Sequence, residues 1–155
     1  MTYYVYPSVS AFRMVNEDVA KWRALEQAIS KANTKPREQA RAVGSSLTYW
    51  TEKASPSALI ASRMYETLIA AHDDPVVVEL ASVVDLVPIR AYDDTSDTEL
   101  FEGEAEAVIL APGEVLSVGP SEAWRYGRNV EGTTAHRIRV TAAGPSPRPF
   151  GKASA

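Results

Sequence analysis

Cysteine is absent from this 155-residue chain. That excludes a disulfide scaffold, a Cys-ligated zinc site and thiol catalysis. Histidine is almost as scarce. His72 and His136 are the only two, and without a spaced His pair a His-ligated metal site is not expected. No apolar run approaches the ~18 residues of a spanning helix. The start, Met1-Thr-Tyr-Tyr-Val-Tyr, has neither the basic segment nor the long apolar stretch of a signal peptide. The expectation is a soluble protein without membrane contact, intracellular or delivered by another assembly. Clustered positive charge is also lacking: residues 75–155 carry 7 basic against 12 acidic side chains. Nucleic-acid binding needs the opposite balance, because phosphates are neutralised by grouped Lys and Arg. Neither a Gly-x-Ser-x-Gly elbow nor a phosphate-binding glycine loop occurs.

What is present suits one folded domain. The chain is 45% hydrophobic with a net charge of -4, far from disordered compositions. Tyr3–Tyr6 reads as a short aromatic strand stopped by Pro7. Asn16, Glu17 and Asp18 suit a helix start, and Val19, Trp22, Leu25 and Ile29 recur at near-helical spacing up to about Asn33. Pro36 opens a shorter helix through Val43, with Gly44 as its stop. Residues 45–51 are β-branched and aromatic, a strand. Ser55-Pro56 marks a helix start, and Leu59, Ile60, Met64, Leu68 and Ile69 form its stripe, ending around His72–Pro75.

From Val76 the pattern becomes β, with strands at 76–83, 86–92, 107–110 and 115–118. Pro112-Gly113 forms a type II turn between the last two. Trp124 and Tyr126 alternate in a half-buried hairpin strand with Arg125 opposite. His136, Ile138 and Val140 share one strand face, Arg137, Arg139 and Thr141 the other. Helices first and strands afterwards give an α+β fold, with N-terminal helices and a mostly antiparallel C-terminal half. The domain spans 1–143, and the Pro/Ser/Gly/Ala-rich residues 144–155 form a flexible tail.

The acidic excess is concentrated. Asp93, Asp94, Asp97, Glu99, Glu102, Glu104 and Glu106 follow one another without an intervening Lys or Arg. Asp93, Thr95, Asp97, Glu99 and Glu104 fall at positions 1, 3, 5, 7 and 12 of a calcium-loop template. Thr98, however, stands where the template turn demands glycine, and the flanks read as strands. An exposed acidic loop over 93–102 without a metal is the simpler expectation. His72 reads as a helix-end residue and His136 as a packed side chain.

Residues 102–113, Glu-Gly-Glu-Ala-Glu-Ala-Val-Ile-Leu-Ala-Pro-Gly, follow a Ser/Thr-containing strand and a helix. In that order they resemble the mono-ADP-ribosyltransferase fold, in which two glutamates precede an aliphatic strand and a turn. The resemblance covers roughly residues 1–142. It implies NAD as substrate and a protein as acceptor of ADP-ribose. It implies Glu106 as the carboxylate on the ribose and Glu104 as the group orienting the nucleophile. Either Ser46 would position Glu106 or Tyr49 would stack on nicotinamide. The family's first-strand arginine is missing from residues 2–7, and Arg13 is the nearest substitute to grip the phosphates. No metal is expected as cofactor. The rival class is a nonenzymatic α+β binding or assembly module, such as an accessory protein of a phage particle or toxin system.

Overall fold

The computed structural model describes residues 3–8, 41–43, 47–62, 65–93, 98–119, 121–141 and 152–154. The described residues contain thirteen strands: β1 Tyr3–Tyr6, β2 Arg41–Val43, β3 Leu47–Lys53, β4 Leu59–Ala61, β5 Tyr65–Ala71, β6 Val76–Ser82, β7 Val87–Asp93, β8 Thr98–Glu102, β9 Glu106–Leu110, β10 Val115–Val118, β11 Glu122–Tyr126, β12 Thr134–Thr141 and β13 Lys152–Ser154. Among the described residues the only helical piece is a 3-10 turn at Val83–Asp85.

The strands form two sheets. Sheet A runs β13-β1-β10-β5-β12-β3-β2 and sheet B runs β7-β8-β4-β11-β6-β9, with antiparallel pairing throughout. The pairing is nested. β6 pairs β9, β10 pairs β5, β11 pairs β4, and β12 pairs β3. Successive nested pairs fall alternately in sheet B and sheet A, so a long hairpin of strands is wound into two sheets. That is the double-sheet jelly roll.

The core lies between the sheets. Val5, Ile69, Ala71, Leu116, Val118 and Ala135 from sheet A meet Val76, Val78, Leu80, Val108, Leu110, Trp124 and Tyr126 from sheet B. Strand alternation explains the sheet B members, since Val76, Val78 and Leu80 are fully buried while Val77 and Glu79 on the other side are partly exposed. The middle of sheet A, at β5, β10 and β12, is buried on both sides. Leu68, Ala70, Val115 and Ile138 point away from the core face and are nevertheless at most 2% exposed.

This architecture replaces the expected α+β fold. Residues 55–72 are not a helix but β4 and β5. β5 lies between β10 and β12, and its Thr67-Leu68-Ile69-Ala70-Ala71 run is buried on both sides. A doubly buried strand is continuously apolar, and over so short a span its pattern matches a buried helix. Residues 41–43, expected to close a helix, form β2. The helix expected over 16–33 lies outside the described residues.

The acidic stretch is likewise not one loop, since β8 occupies Thr98–Glu102 with Phe101 5% and Glu99 9% exposed. β11 is no hairpin strand either. It sits between β4 and β6 in sheet B, whereas β12 belongs to sheet A. The expected strands 3–6 and 115–118 match β1 and β10, and the Pro112-Gly113 turn forms as read. Gly113 has φ 89°, and Glu114 N–H donates to Ala111 C=O at 2.9 Å. No described helix is long and apolar enough to cross a membrane.

Candidate functional site

Glu104 lies in the connection after β8 and Glu106 opens β9, both exposed. They line a shallow cleft of about 330 Å³ with Leu80, Ser82 and Asp85. Tyr49 is in β3 of sheet A, opposite Ile138, whereas Glu106 pairs with Leu80 in sheet B. Arg13 and Ser46 lie outside the described residues.

A denser group of functional side chains occupies the two sides of β3 and β12. Because these strands pair directly, Trp50 faces Arg137 and Thr51 faces His136 in register, on opposite sides of sheet A.

On the inner side, Arg137 is wedged between two indoles. Its guanidinium carbon lies 5.0 Å from the Trp50 ring centre and 4.8 Å from that of Trp124, which projects from sheet B. Both distances fall inside the ~6 Å range of cation–π attraction. Glu52 supports the group from β3. It accepts a 2.6 Å hydrogen bond from Trp50 Nε1 and lies 3.5 Å from Arg137 Nη1. Tyr126 stands edge-on to Trp124 at 5.1 Å, two residues along the same strand face.

Two donors in this cluster are buried without a hydrogen-bond partner, Arg137 Nε and the Tyr126 hydroxyl. Burial, then the nearby Glu52 carboxylate, pushes the Tyr126 pKa well above the usual tyrosine value. Glu52 is thus close enough to act on this hydroxyl, yet its well-formed bond goes to Trp50 and no hydrogen bond of acceptable geometry reaches Tyr126. The phenol remains a protonated donor at neutral pH.

On the outer side, four polar groups connect in series. Thr51 Oγ1 lies 3.2 Å from His136 Nδ1, His136 Nε2 lies 3.0 Å from His72 Nδ1, and His72 Nε2 lies 3.4 Å from Asp73 Oδ1. His136 is 1% exposed, and burial, then the adjacent His72, holds its pKa down to about 4. It is a packed, hydrogen-bonded side chain, as read from the sequence. His72 ends a strand instead of a helix.

The sequence reading missed Trp50, Glu52, Trp124, Tyr126 and Arg137 as one group. Alternation places Trp124 beside Tyr126 and separates Arg137 from His136. Nothing in either pattern shows that β11 and β12 stand in facing sheets.

No protein-family model and no curated protein matches the chain. Among solved structures, Streptomyces albus HEPD with 2-hydroxyethylphosphonate and Fe(II) aligns at TM-score 0.39 and 18% identity, over 66% of this chain and 19% of that one. The chain therefore spans about a fifth of that protein. Hydroquinone 1,2-dioxygenase PnpCD with Cd2+ and 4-hydroxybenzonitrile aligns at TM-score 0.46 and 18% identity, over 95% of this chain and 91% of that one.

The ADP-ribosyltransferase resemblance does not survive the fold. It depended on a helix between a Ser/Thr strand and a β-rich half, and that span is β4 and β5 of a jelly roll. With it go NAD as substrate, transfer of ADP-ribose and the α+β assembly module. The expectation of no metal was made alongside the NAD reading and is withdrawn with it; the two aligned structures above are described with Fe(II) and Cd2+. At these TM-scores the likeness assigns no metal to this chain. Among the described residues no three His, Asp or Glu side chains converge as a ligand set.

Proposed function

We propose that the protein binds a small planar molecule, an aromatic ring bearing a carboxylate or carbonyl oxygen, between its sheets beside Arg137. The observation that carries this reading is the pair of buried donors, Arg137 Nε and the Tyr126 hydroxyl, in one aromatic cluster whose single carboxylate, Glu52, completes a hydrogen bond to neither. An unmatched buried donor costs ~1–3 kcal/mol, and a ligand oxygen removes that cost. The two indoles hold the guanidinium between them in apolar surroundings, and a guanidinium edge suits a planar oxygen acceptor. Because Glu52 already lies beside the guanidinium, neutral carbonyls remain acceptable alongside carboxylates.

The test follows tryptophan fluorescence and proton NMR during titration with benzoate, benzamide and benzylamine. Saturable binding of the first two, absence of binding by the amine, and loss on Arg137→Lys are the expected results. Folded protein that responds to neither acceptor at millimolar concentration would remove the reading.

A further inference from the structure

Both histidines of the chain meet on the outer side of sheet A, opposite Arg137. His136 Nε2 and His72 Nδ1 face each other at 3.0 Å, and their rings stand nearly perpendicular, at 87°. Each ring is anchored through its other nitrogen, His136 by the Thr51 hydroxyl at 3.2 Å and His72 by the Asp73 carboxylate at 3.4 Å. In metal-binding histidines an oxygen holds the far N–H, which fixes the tautomer and aims the near lone pair, and Thr51 and Asp73 stand where such oxygens are needed.

The spacing also selects the ion. With metal–nitrogen bonds of about 2.0–2.1 Å, nitrogens 3.0 Å apart subtend close to a right angle at the metal. Tetragonal Cu(II) and Ni(II) prefer that angle, whereas tetrahedral Zn(II) prefers a wider one. We propose that His72 and His136 form a two-histidine site for a divalent transition ion of Ni(II) or Cu(II) type, with Thr51 and Asp73 as positioning residues.

The exchange balances without losing a proton. In the metal-free network, assigned from its geometry, His136 Nε2–H donates to His72 Nδ1 while Thr51 donates to His136 Nδ1. On binding, the His136 proton moves to Nδ1 and is donated to Thr51, and His72 keeps its Nε2–H toward Asp73. Two metal–nitrogen bonds replace one N–H···N bond. His72 is partly exposed, at 26%, so the ion enters from its side, with water in the remaining positions. With two described protein ligands, affinity belongs in the micromolar range.

Tag-free protein titrated with Ni(II) by calorimetry and with Cu(II) by electron paramagnetic resonance provides the test. One ion per chain and hyperfine coupling from two nitrogens are expected. His72 follows the last residue of β5, so His72→Ala should fold normally, weaken binding about tenfold or more and leave one coupled nitrogen. No saturable binding at submillimolar ion, or wild-type affinity in His72→Ala, would overturn the proposal.

His136 is buried, so a reading that needs no variant there is the electron spin-echo modulation of the Cu(II)-loaded protein, which counts coordinated imidazoles through their remote nitrogens. Two coordinated imidazoles support the site, and one or none rejects it. Benzoate binding should be unchanged in His72→Ala, so the two sites stand or fall separately.

Discussion

At the scale of single residues, Tyr126 separates a binding role from a packing role. Its ring is 4% exposed and packs against Trp124, but its hydroxyl is buried without a hydrogen bond. Tyr126→Phe keeps the ring and deletes the unmatched group. The variant should therefore be more stable than the parent by roughly 1 kcal/mol, yet bind benzoate more weakly, a trade expected where a site retains groups for function. Denaturant melts with and without ligand measure both changes, and a destabilised variant would show that the hydroxyl is satisfied after all.

The tyrosines also define an alkaline limit. Burial, then the neighbouring Tyr4 and Glu66, raises Tyr6 from 10.0 to about 12. Tyr126 is raised as well. In both cases the folded state keeps its proton at pH values where the unfolded chain has lost it. Stability is whole below pH ~10 and falls as pH rises through the folded values. Melts across that range should show this decline, with a shallower slope in Tyr126→Phe.

At the scale of elements, one side chain extends a strand pairing. Asn129, in the connection between β11 and β12, accepts from Val77 N–H at 2.8 Å and donates to the carbonyls of Val77 and Gly127, each at 3.1 Å. The amide thus acts as one more residue paired to β6, beyond the Gly127 N–H bond to the same Val77 carbonyl. Asn129→Ala leaves Val77 N–H without this acceptor and should cost ~1–3 kcal/mol. Hydrogen exchange at Val77 should quicken at the same time. Unchanged protection there would show that the loop does not depend on the amide. By contrast, Arg125 and Glu79 pair directly across β11 and β6 at 2.5 Å with both side chains 29% exposed, and removing either should matter much less.

How far the sequence revealed these elements depends on which sides they bury. β1, β6, β9 and β10 were legible because aromatic or aliphatic runs end at Pro7, Pro112 and Gly113, and because β6 opens on three consecutive β-branched valines. β5 was not, since the middle of sheet A is buried on both sides and its run carries no period-2 signal. β8 was hidden by its charges, since Glu99 is 9% exposed inside what reads as a solvated acidic run. The Arg137 cluster was illegible for a different reason. Each member obeys its own strand pattern, and only the packing of sheet A on sheet B brings β3, β11 and β12 together.

At the scale of the whole molecule, nested pairing sets the order in which the chain can fold. The inner pair β6–β9 closes over a few tens of residues, whereas β3 and β12 must wait for everything between them, as the Thr51–His136 contact spans 85 positions. Both polar clusters are built on that long-range pair, so the candidate sites exist only after the jelly roll has closed. Closing long loops costs entropy before the distant contacts reward it, and β topologies of this kind fold in roughly milliseconds to seconds. Stopped-flow tryptophan fluorescence should show refolding on that timescale, with benzoate protection appearing in the last phase. Refolding complete within microseconds would mean that local structure dominates the transition state, and that the Trp50–Arg137–Trp124 cluster does not depend on sheet closure.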